Sequence, residues 1–298
     1  MDFSLSKQEQ LFLQMIREFA EKEVKPLAAE VDESERFPME TVQKMAKLGI
    51  MGIPFPVEYG GAGGNNILYT MAVEELSRVC ATTGVIVSAH TSLCCAPIME
   101  HGTPEQKAKY LPKLTSGEWI GAFGLTEPNA GTDASAQQTF AIKEGDHYVL
   151  NGSKIFITNA GYAHVYIIMA MTDKSKGTKG ISAFIVEKDF PGFSIGKKEK
   201  KMGIRGSATA DLIFDNCIVP KEHLIGREGD GFKMIMQTLD VGRLGVGAIG
   251  LGIAEGALEE TLKYVSQRRQ FGKTIGSFQN TQFEIADMKT RLDSAQLI

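Results

Sequence analysis

The sequence predicts an α+β protein in three consecutive parts: an N-terminal α-helical domain (residues 1–117), a central antiparallel β sandwich or barrel (118–228), and the first helices of a C-terminal helical bundle (229–298). The main observation is a change of hydrophobic period. Apolar residues recur at helical spacing up to about Gly117 and again after Gly229, whereas short β-rich runs fill the interval. No helix-length pattern interrupts those runs, which disfavours a parallel sheet.

The composition excludes several classes of protein. With 43% hydrophobic residues, 23% charged residues and a net charge of −4, it offers no basic surplus for a nucleic acid and no polybasic segment for an anionic membrane. Met1 to Ser4 lacks the features of a signal peptide, and the most apolar stretch, Gly84 to Met99, is broken by polar residues and predicted to be a buried core helix. The four cysteines lack metal-ligand spacing, which predicts reduced thiols, no metal site and a cytoplasmic location.

Capping and breaking residues predict the helix boundaries of the first domain. Ser6 followed three residues later by Glu9 forms a capping box that starts the first helix. Pro38 is placed to open a second helix at its first position, and Gly49 to close it. The glycine-rich run 57–64 predicts a loop. Helical spacing then resumes in three stretches: Met71 to Val79, Thr83 to Glu100, and Pro104 to about Gly117.

Short runs of β-branched and aromatic residues predict the strands of the middle domain. Asn151-Gly152 is a strong tight-turn signal, so we expect a turn between the runs on either side of it. The predicted strand segments are 148–150, 154–158, 165–169, 181–186 and 212–214.

Helical spacing returns after Gly229, breaks at Phe271-Gly272-Lys273 and resumes near Phe278. These last helices are too few to close a core alone. We expect them to pack on the first domain or on a second subunit, or to be part of a longer chain.

One glycine motif has a letter-for-letter match in the wrong context. Gly245 to Gly250 fits the dinucleotide-binding pattern Gly-x-Gly-x-x-Gly, but the residues before it have helical rather than strand spacing. We therefore interpret the glycines here as a small-residue face that lets another helix approach closely: Gly242, Gly245, Gly252 and Gly256. His90 and His101 have no catalytic partner in evident register and are interpreted as structural.

Two segments of the β domain have chemistry that the residues alone leave open. In the loop from Leu125 to Asp133, asparagine and glycine can turn backbone N–H groups toward an anion, or the loop simply connects two strands. The run Lys154 to Asn159 places Phe156 and Thr158 on one face of a strand. That face suits a flat heteroaromatic ligand, or a core aromatic beside a surface threonine.

Two charged groups in the last part are equally ambiguous. Asp240 and Arg243 can pair on one helical face, most simply as a structural ion pair. Arg268 to Lys273 is a basic cluster at a helix end, which suits either a diphosphate or the negative end of the helix dipole.

Taken together, these segments resemble the flavin-dependent acyl-CoA dehydrogenase family, most closely its bacterial butyryl-CoA dehydrogenases. The resemblance covers nearly the whole chain in order, and the family's helical domain, β domain and helical bundle agree with the pattern above. The stretches that carry it are Glu58-Tyr59-Gly60-Gly61, Gly121 to Asp133, Asn151 to Asn159, Lys201-Met202-Gly203-Ile204-Arg205 and Arg268 to Lys273.

The resemblance implies FAD as the cofactor. It places the isoalloxazine and the pyrophosphate against the loop, and the flavin ring against the strand, with the Thr158 hydroxyl close to N5. Relatives often carry tryptophan where this chain has Phe156. The cofactor-binding residues implied are Phe123, Leu125, Thr126, Gly131, Thr132, Phe156, Ile157 and Thr158. Three more match positions that reach the FAD of a neighbouring subunit, which implies a homo-oligomer built as a dimer of dimers: Arg268, Phe271 and Gln279.

The same resemblance implies the reaction and the partners. Thr132, Asp240 and Arg243 match residues on the acyl-CoA side, and Glu199 matches a carboxylate that docks electron-transfer flavoprotein. The reaction implied is α,β-dehydrogenation of butyryl-CoA to crotonyl-CoA. A carboxylate takes the α-proton, the β-hydride passes to flavin N5, and hydrogen bonds polarise the thioester carbonyl. We expect the acyl pocket against 71–79 and 83–96.

The chain departs from the family at the catalytic base. In short- and medium-chain members the catalytic glutamate lies beyond residue 298, and the alternative position on the helix is Gly242 here. Asp240 is a poor substitute, because Arg243 should direct its carboxylate away. We therefore expect that the chain is C-terminally truncated and that no catalytic base lies within it. Such a chain would at best bind ligand, and it would expose apolar helix faces. Two alternatives stay open: an enoyl-CoA reductase running in reverse, and a non-catalytic acyl-CoA or flavin-binding protein.

Overall fold

The computed structural model describes residues 4–297 of the chain. Residues 1–3 and Ile298 lie outside the described residues, and with them most of the N-terminal segment tested for a signal peptide and the last residue of the final predicted helix. The helices described in the N-terminal domain are α1 (Lys7–Phe19), α2 (Lys25–Glu33), α3 (Met39–Lys47), α4 (Asn66–Val79), α5 (Ala81–Ser88), α6 (Ala96–His101) and α7 (Pro104–Thr115).

The predicted helix signals are found at most of their positions. The Glu9 N–H donates to Ser6 Oγ at 3.3 Å, and the Ser6 N–H donates to the Glu9 carboxylate at 2.8 Å, which confirms the capping box. Gly49 follows α3 in the left-handed conformation, as a closing glycine should. Pro38 is the N-cap of α3 rather than its first residue, which moves the predicted start by one position.

A π-helical segment, Ala89–Cys95, joins α5 to α6 into one continuous buried element. Within it His90 is fully buried: its Nδ1 accepts from the Gly121 N–H at 3.0 Å, and its Nε2–H donates to the Leu114 carbonyl at 3.1 Å. Burial lowers the pKa of His90 to about 4. Both ring nitrogens are thus engaged in joining the helical domain to the β domain, which confirms the structural interpretation of this histidine.

The β domain is built on strands β1 (Gly121–Gly124), β2 (Phe140–Glu144), β3 (His147–Thr158), β4 (Val165–Met171), β5 (Ile181–Glu187), β6 (Phe193–Lys198), β7 (Thr209–Pro220) and β8 (Leu224–Ile225). They form one sheet in the order β6-β7-β3-β2-β4-β5-β8, and β1 pairs with β4. Most neighbours are antiparallel, but β1 and β2 each pair with β4 in parallel. The predicted antiparallel β domain is therefore confirmed in most of its pairings and wrong for these two. β1 follows the helical domain and runs in the same direction as β4. The segment that connects them is a loop followed by the β2–β3 hairpin, instead of a helix.

The turn predicted at Asn151-Gly152 is also wrong. These residues lie inside the single long strand β3, at a register shift against β7 between Leu150 and Gly152. The turn lies earlier, at Gly145-Asp146, and connects β2 to β3. Pairing of β3 with β7 along its length outweighs the local turn preference, and the glycine serves close approach instead: a Cβ on Gly152 would lie 2.5 Å from Thr139 Oγ1.

The last part contains α8 (Gly231–Gln267), a small hairpin of β9 (Arg269–Gln270) and β10 (Lys273–Thr274), and α9 (Gln279–Gln296). The glycines of α8 pack as predicted. A Cβ on Gly252 would lie 2.2 Å from the Glu74 carbonyl oxygen, and one on Gly256 2.1 Å from that of Arg78. The run that matches the dinucleotide pattern lies wholly inside α8. A Cβ on its Gly245 would lie 2.6 Å from Tyr69 Oη of α4, whereas one on Gly247 or Gly250 would meet no heavy atom within 4 Å.

Two stretches of the described chain, Ala81–His101 and Gly231–Gln267, are long and apolar enough to span a membrane by length and composition alone. The apolar window of the first is 78% buried within the protein, which confirms the predicted core helix. The second is only 33% buried in its window, and its exposed apolar side chains include Leu244, Val246 and Leu262.

Candidate active site

The segment from Leu125 to Thr139, here called the 125–139 loop, connects β1 to β2. Its first part is closed by a two-way backbone pairing of Glu127 with Ala130, at 3.1 and 3.0 Å. Beyond that turn, Gly131 and Thr132 are exposed, and a Cβ on Gly131 would meet no heavy atom within 4 Å. The loop therefore presents an open backbone segment, as an anion-binding loop does.

A buried ion pair anchors this loop to β3. Lys154 is fully buried, and its Nζ donates to Glu127 Oε1 at 2.6 Å, to Gln137 Oε1 at 3.0 Å and to the Leu125 carbonyl at 3.2 Å. The Glu127 carboxylate also accepts from the backbone N–H groups of Gln138 and Thr139. Two ends of the loop and one strand thus meet at a single ammonium group.

The pKa values of this pair show two opposing effects. Burial lowers the pKa of Lys154 to about 8, against the attraction of Glu127. Burial alone would raise the pKa of Glu127, but the charge and hydrogen bond of Lys154, helped by the backbone donors, hold it below its usual value. At neutral pH both groups are therefore charged.

The end of β3 runs beside the start of the loop, since the Ile155 N–H donates to the Thr126 carbonyl at 2.9 Å. Here the strand bulges against β7, and Phe156 adopts a left-handed conformation with φ of +60°. Phe156 is 57% exposed as a residue, whereas the next residue, Ile157, is buried. An aromatic held in a strained, exposed position is a feature of ligand sites.

Asn159 fixes the end of this strand. Its side-chain amide donates to the carbonyls of Ile86 and Gly121, each at 3.2 Å, so that the strand end is tied to α5 and to β1. Thr158, immediately before it, is half-buried. In the described part of the chain, the hydroxyls of Thr126, Thr132 and Thr158 make no hydrogen bond. These three polar groups are available to a ligand between the loop and the strand.

The residues present fit a flavin. An exposed aromatic ring, free threonine hydroxyls and an open glycine segment are grouped beside the 125–139 loop, and the loop itself is held rigid by Lys154. The sequence-predicted residues Phe123, Leu125, Thr126, Ile157 and Thr158 are thus brought together with Phe156, Gly131 and Thr132 on β1, the loop and the end of β3.

Asp240 and Arg243 lie on the N-terminal half of α8 and form an ion pair at 2.7 Å, with both side chains 71% exposed. Their neighbour Leu239 packs against the core cluster that holds Phe123, as does Leu125, so this part of α8 shares a core with the loop. The pair directs the Asp240 carboxylate to Arg243, as predicted. Between these two residues Gly242 packs 3.0 Å from Leu93 Cδ2, measured from a Cβ placed on the glycine.

The structure places Arg268, Phe271 and Gln279 apart from this group. Arg268 ends α8, Phe271 is 92% exposed at the tip of the β9–β10 hairpin, and Gln279 begins α9. No hydrogen bond or ring contact in the described chain joins any of the three to the 125–139 loop. Within one chain they do not complete the site.

Two of the cavities that α8 helps to line are relevant to the predicted acyl pocket. One of about 180 Å³ is lined by side chains of α4, the α5–α6 element and α8, including Tyr69, Ser92 and Val241. The other, a groove of about 900 Å³ between α8 and α9, is lined mostly by apolar residues such as Leu251, Leu258 and Leu292. The smaller cavity touches the predicted segment 83–96 and residues 66 and 69 of α4, whereas the larger groove reaches Glu74 in the predicted segment 71–79.

Sequence reasoning missed the buried anchor of the site. The sequence pattern marks Lys154 and Asn159 only as the ends of a predicted strand, and it assigns no role to Glu127 or Gln137. The available signal was a lysine inside a run of apolar strand residues, since a lysine that must be buried there needs an acidic partner. No local pattern indicates which of the 36 acidic residues supplies it.

Comparisons with protein-family models match all three parts of the chain: the N-terminal domain of acyl-CoA dehydrogenase over residues 6–118, the middle domain over 122–217 and the C-terminal domain over 229–298. The chain is 62% identical over 298 residues to a short-chain specific acyl-CoA dehydrogenase of Clostridium acetobutylicum, covering all of this chain and 79% of that protein. It is also 49% identical over 300 residues to an acryloyl-CoA reductase (NADH) of Anaerotignum propionicum, covering 76% of it.

Solved structures agree. Butyryl-CoA dehydrogenase from Megasphaera elsdenii superposes with a TM-score of 0.97 at 50% identity, covering 99% of this chain and 78% of that one. A chain from work on the electron transferring flavoprotein of Acidaminococcus fermentans superposes with a TM-score of 0.98 at 54% identity, with the same coverage. These matches, together with the loop and strand geometry above, identify the chain as a member of the acyl-CoA dehydrogenase family of FAD-dependent oxidoreductases.

Proposed function

We propose that this chain serves the α,β-dehydrogenation of short-chain acyl-CoA, with butyryl-CoA converted to crotonyl-CoA and electrons passed to electron-transfer flavoprotein. The observation that carries the proposal is the pairing of the 125–139 loop with the end of β3, which presents Phe156 beside free threonine hydroxyls. The similarity to short-chain and butyryl-CoA dehydrogenases supports the choice of substrate.

In this proposal each segment has a separate task. Gly131 and Thr132 hold the pyrophosphate through backbone N–H groups and a hydroxyl, and Phe156, Ile157 and Thr158 flank the flavin ring. When bound, FAD supplies the acceptor for the β-hydride. On the substrate side, Thr132 and the exposed Asp240–Arg243 pair bind acyl-CoA, with the guanidinium directed at an anionic group.

Removal of the α-proton needs a base. We assign that base to neither of the two residues of α8 considered for it, Asp240 and Gly242. Asp240 is committed to Arg243, and Gly242 has no side chain. We therefore propose that the carboxylate comes from outside residues 4–297, and that these residues bind FAD and acyl-CoA without completing proton transfer.

An anaerobic titration of the flavin-loaded chain with butyryl-CoA, followed by visible absorption, tests both statements. A shifted flavin band without bleaching is the expected result. Bleaching would contradict the assignment of the base, and an unchanged or absent flavin band would contradict ligand binding. Arg243→Ala should weaken butyryl-CoA binding by about tenfold through the lost charged contact. Lys263→Ala is the matched control, since Lys263 pairs with Glu260 three residues away on the same helix.

Enoyl-CoA reduction is the second candidate, because one relative, 49% identical to this chain, is named an acryloyl-CoA reductase (NADH). The residues of this site serve either direction equally, since both directions use the same flavin and acyl-CoA contacts. The test is made on a protein that also carries the proposed carboxylate. Reoxidation of its chemically reduced flavin by crotonyl-CoA, compared in rate with reduction of its oxidised flavin by butyryl-CoA, decides which direction the protein favours.

We also propose a dimer of dimers, electron-transfer flavoprotein as partner, and a cytoplasmic location. The exposed Phe271 at the hairpin tip supports a subunit contact, the half-buried Glu199 directly follows β6, where a partner protein would have to reach it, and the free cysteines fit a reducing compartment. Sedimentation equilibrium of the flavin-loaded protein tests the first: a single-chain mass would contradict it. Glu199→Gln, which should slow electron transfer to the flavoprotein without changing butyryl-CoA binding, tests the second.

A further inference from the structure

We propose that Lys154 is a positioning residue for the flavin: one buried ammonium group sets the distance between the 125–139 loop and the end of β3, and so determines how tightly FAD is held between them. The inference rests on the FAD site described above. Lys154 belongs neither to the residues proposed to flank the flavin ring, Phe156 to Thr158, nor to the open segment at Gly131 and Thr132.

The contacts of Lys154 converge from both ends of the loop. Its Nζ reaches the Leu125 carbonyl, directly before Thr126, and the Glu127 carboxylate on the near side. On the far side it reaches Gln137 Oε1, and the Gln137 side chain in turn donates to the Ala134 carbonyl at 3.2 Å. The network therefore extends to within two residues of Thr132.

The same lysine belongs to the strand that carries the ring-facing residues. It lies two residues before Phe156, at the start of the bulge that turns the Phe156 ring outward. Any change in the position of Lys154 relative to the loop therefore changes the gap between Thr126 or Thr132 on one side and Phe156 on the other. A ligand that fills such a gap is sensitive to small errors in its width.

Because Lys154 and Glu127 are both buried, the loss of either charge leaves the other unpaired away from water. Lys154 and Glu127 are 0% and 4% exposed, and Glu127 is the carboxylate that neutralises the ammonium. With the ammonium removed, Glu127 keeps its two backbone donors, but its charge is unpaired and the loop loses its tie to Gln137 and Leu125. A neutral replacement of both partners removes the unpaired charge, yet it restores none of the three bonds that Nζ makes.

That difference separates a positioning role from a merely structural one. The variants are Lys154→Met, the double variant Lys154→Met with Glu127→Gln, and Lys143→Met as control. Lys143 lies on the adjoining strand β2, is 57% exposed and is paired with Glu228 at 3.6 Å. Flavin absorption is measured on the holoenzyme. After removal of FAD, each variant is measured by thermal unfolding and by fluorescence titration with FAD, so that its melting temperature does not depend on its FAD affinity.

Lys154→Met is expected to bind FAD about 10- to 100-fold more weakly, as when an outer partner of a bound group is lost, and to melt at a lower temperature. In the double variant we expect the melting temperature to recover most of its loss, while FAD affinity and the resolved flavin absorption band do not recover. If Lys154→Met fails to fold, the double variant alone carries the comparison.

FAD affinity within twofold of wild type in either variant would overturn the proposal, as would recovery of affinity together with melting temperature in the double variant. Lys143→Met should match wild type in every measurement. Failure of the wild-type chain itself to bind FAD would instead contradict the FAD site, so the two failures are distinguishable.

Discussion

Replacing Gly252 by alanine tests how α8 is held against the N-terminal domain. A Cβ at this position would lie 2.2 Å from the Glu74 carbonyl oxygen and 3.0 Å from the Arg78 nitrogen and Ser77 Cβ. Ordinary contact begins near 3.4 Å, so α4 and α8 would have to separate by about 1 Å, and the obstacle is backbone that no rotamer change removes.

The expected cost follows from two opposing terms. Insertion of a methyl group into a packed interface costs about 1–3 kcal/mol or somewhat more, and alanine returns up to about 1 kcal/mol through its better helix propensity. At Gly250, two residues away on the same helix, a Cβ would meet no heavy atom within 4 Å, so only the favourable term applies. We therefore expect the two alanine variants to change stability in opposite directions.

Thermal unfolding monitored by circular dichroism measures the difference, with about 2–4 °C expected for each kcal/mol. Gly252→Ala should melt several degrees below wild type, and Gly250→Ala at or slightly above it. Equal melting temperatures for the two variants would refute the close approach of α8 to α4. A lower melting temperature for Gly250→Ala than for Gly252→Ala would instead favour a role for the glycine motif outside helix packing.

Three further predictions concern single residues. His90 takes up a proton near pH 6.5 when unfolded but only near pH 4 when folded, so the free energy of unfolding should fall by about 3 kcal/mol as the pH drops between these values. Urea unfolding at several pH values should show a smaller fall for His90→Gln than for wild type. An identical pH dependence of the two proteins would refute the lowered pKa of His90. Phe156→Gly should leave the stability of the FAD-free protein unchanged or raise it by up to about 1 kcal/mol, because glycine adopts a φ of +60° without strain and Phe156 is 57% exposed. In the FAD-loaded variant the flavin should become more accessible to solvent quenchers. A large loss of stability would show instead that the Phe156 ring packs within the protein. Phe271→Ala should change the free energy of unfolding of the single chain by less than about 0.5 kcal/mol, since Phe271 is 92% exposed. In dilute solution the variant should show a lower oligomer mass and retain less FAD than wild type. Unchanged values of both would contradict the proposed subunit contact.

The loop and strand that form the candidate site could be located from sequence because their signals are local. Thr126, Gly131 and Thr132 lie in one turn-rich segment, and Phe156 and Thr158 lie on one strand of β-forming residues. The bulge that turns Phe156 outward could not be predicted, because it arises from the register of β3 against β7, a strand more than 50 residues later in the chain.

The sequence by itself determined the succession of helices, strands and helices, the capping box at Ser6, and the helix-packing role of the α8 glycines, since each depends on spacing within a few residues. Only the tertiary structure decided that β1 and β2 run parallel to β4, that Asn151-Gly152 lies within a strand, and that Glu127 is the partner of Lys154. These features depend on which distant segments meet. Burial and pairing energies across such contacts exceed the local preferences of a turn dipeptide or a single charged residue, so the local pattern does not reveal them.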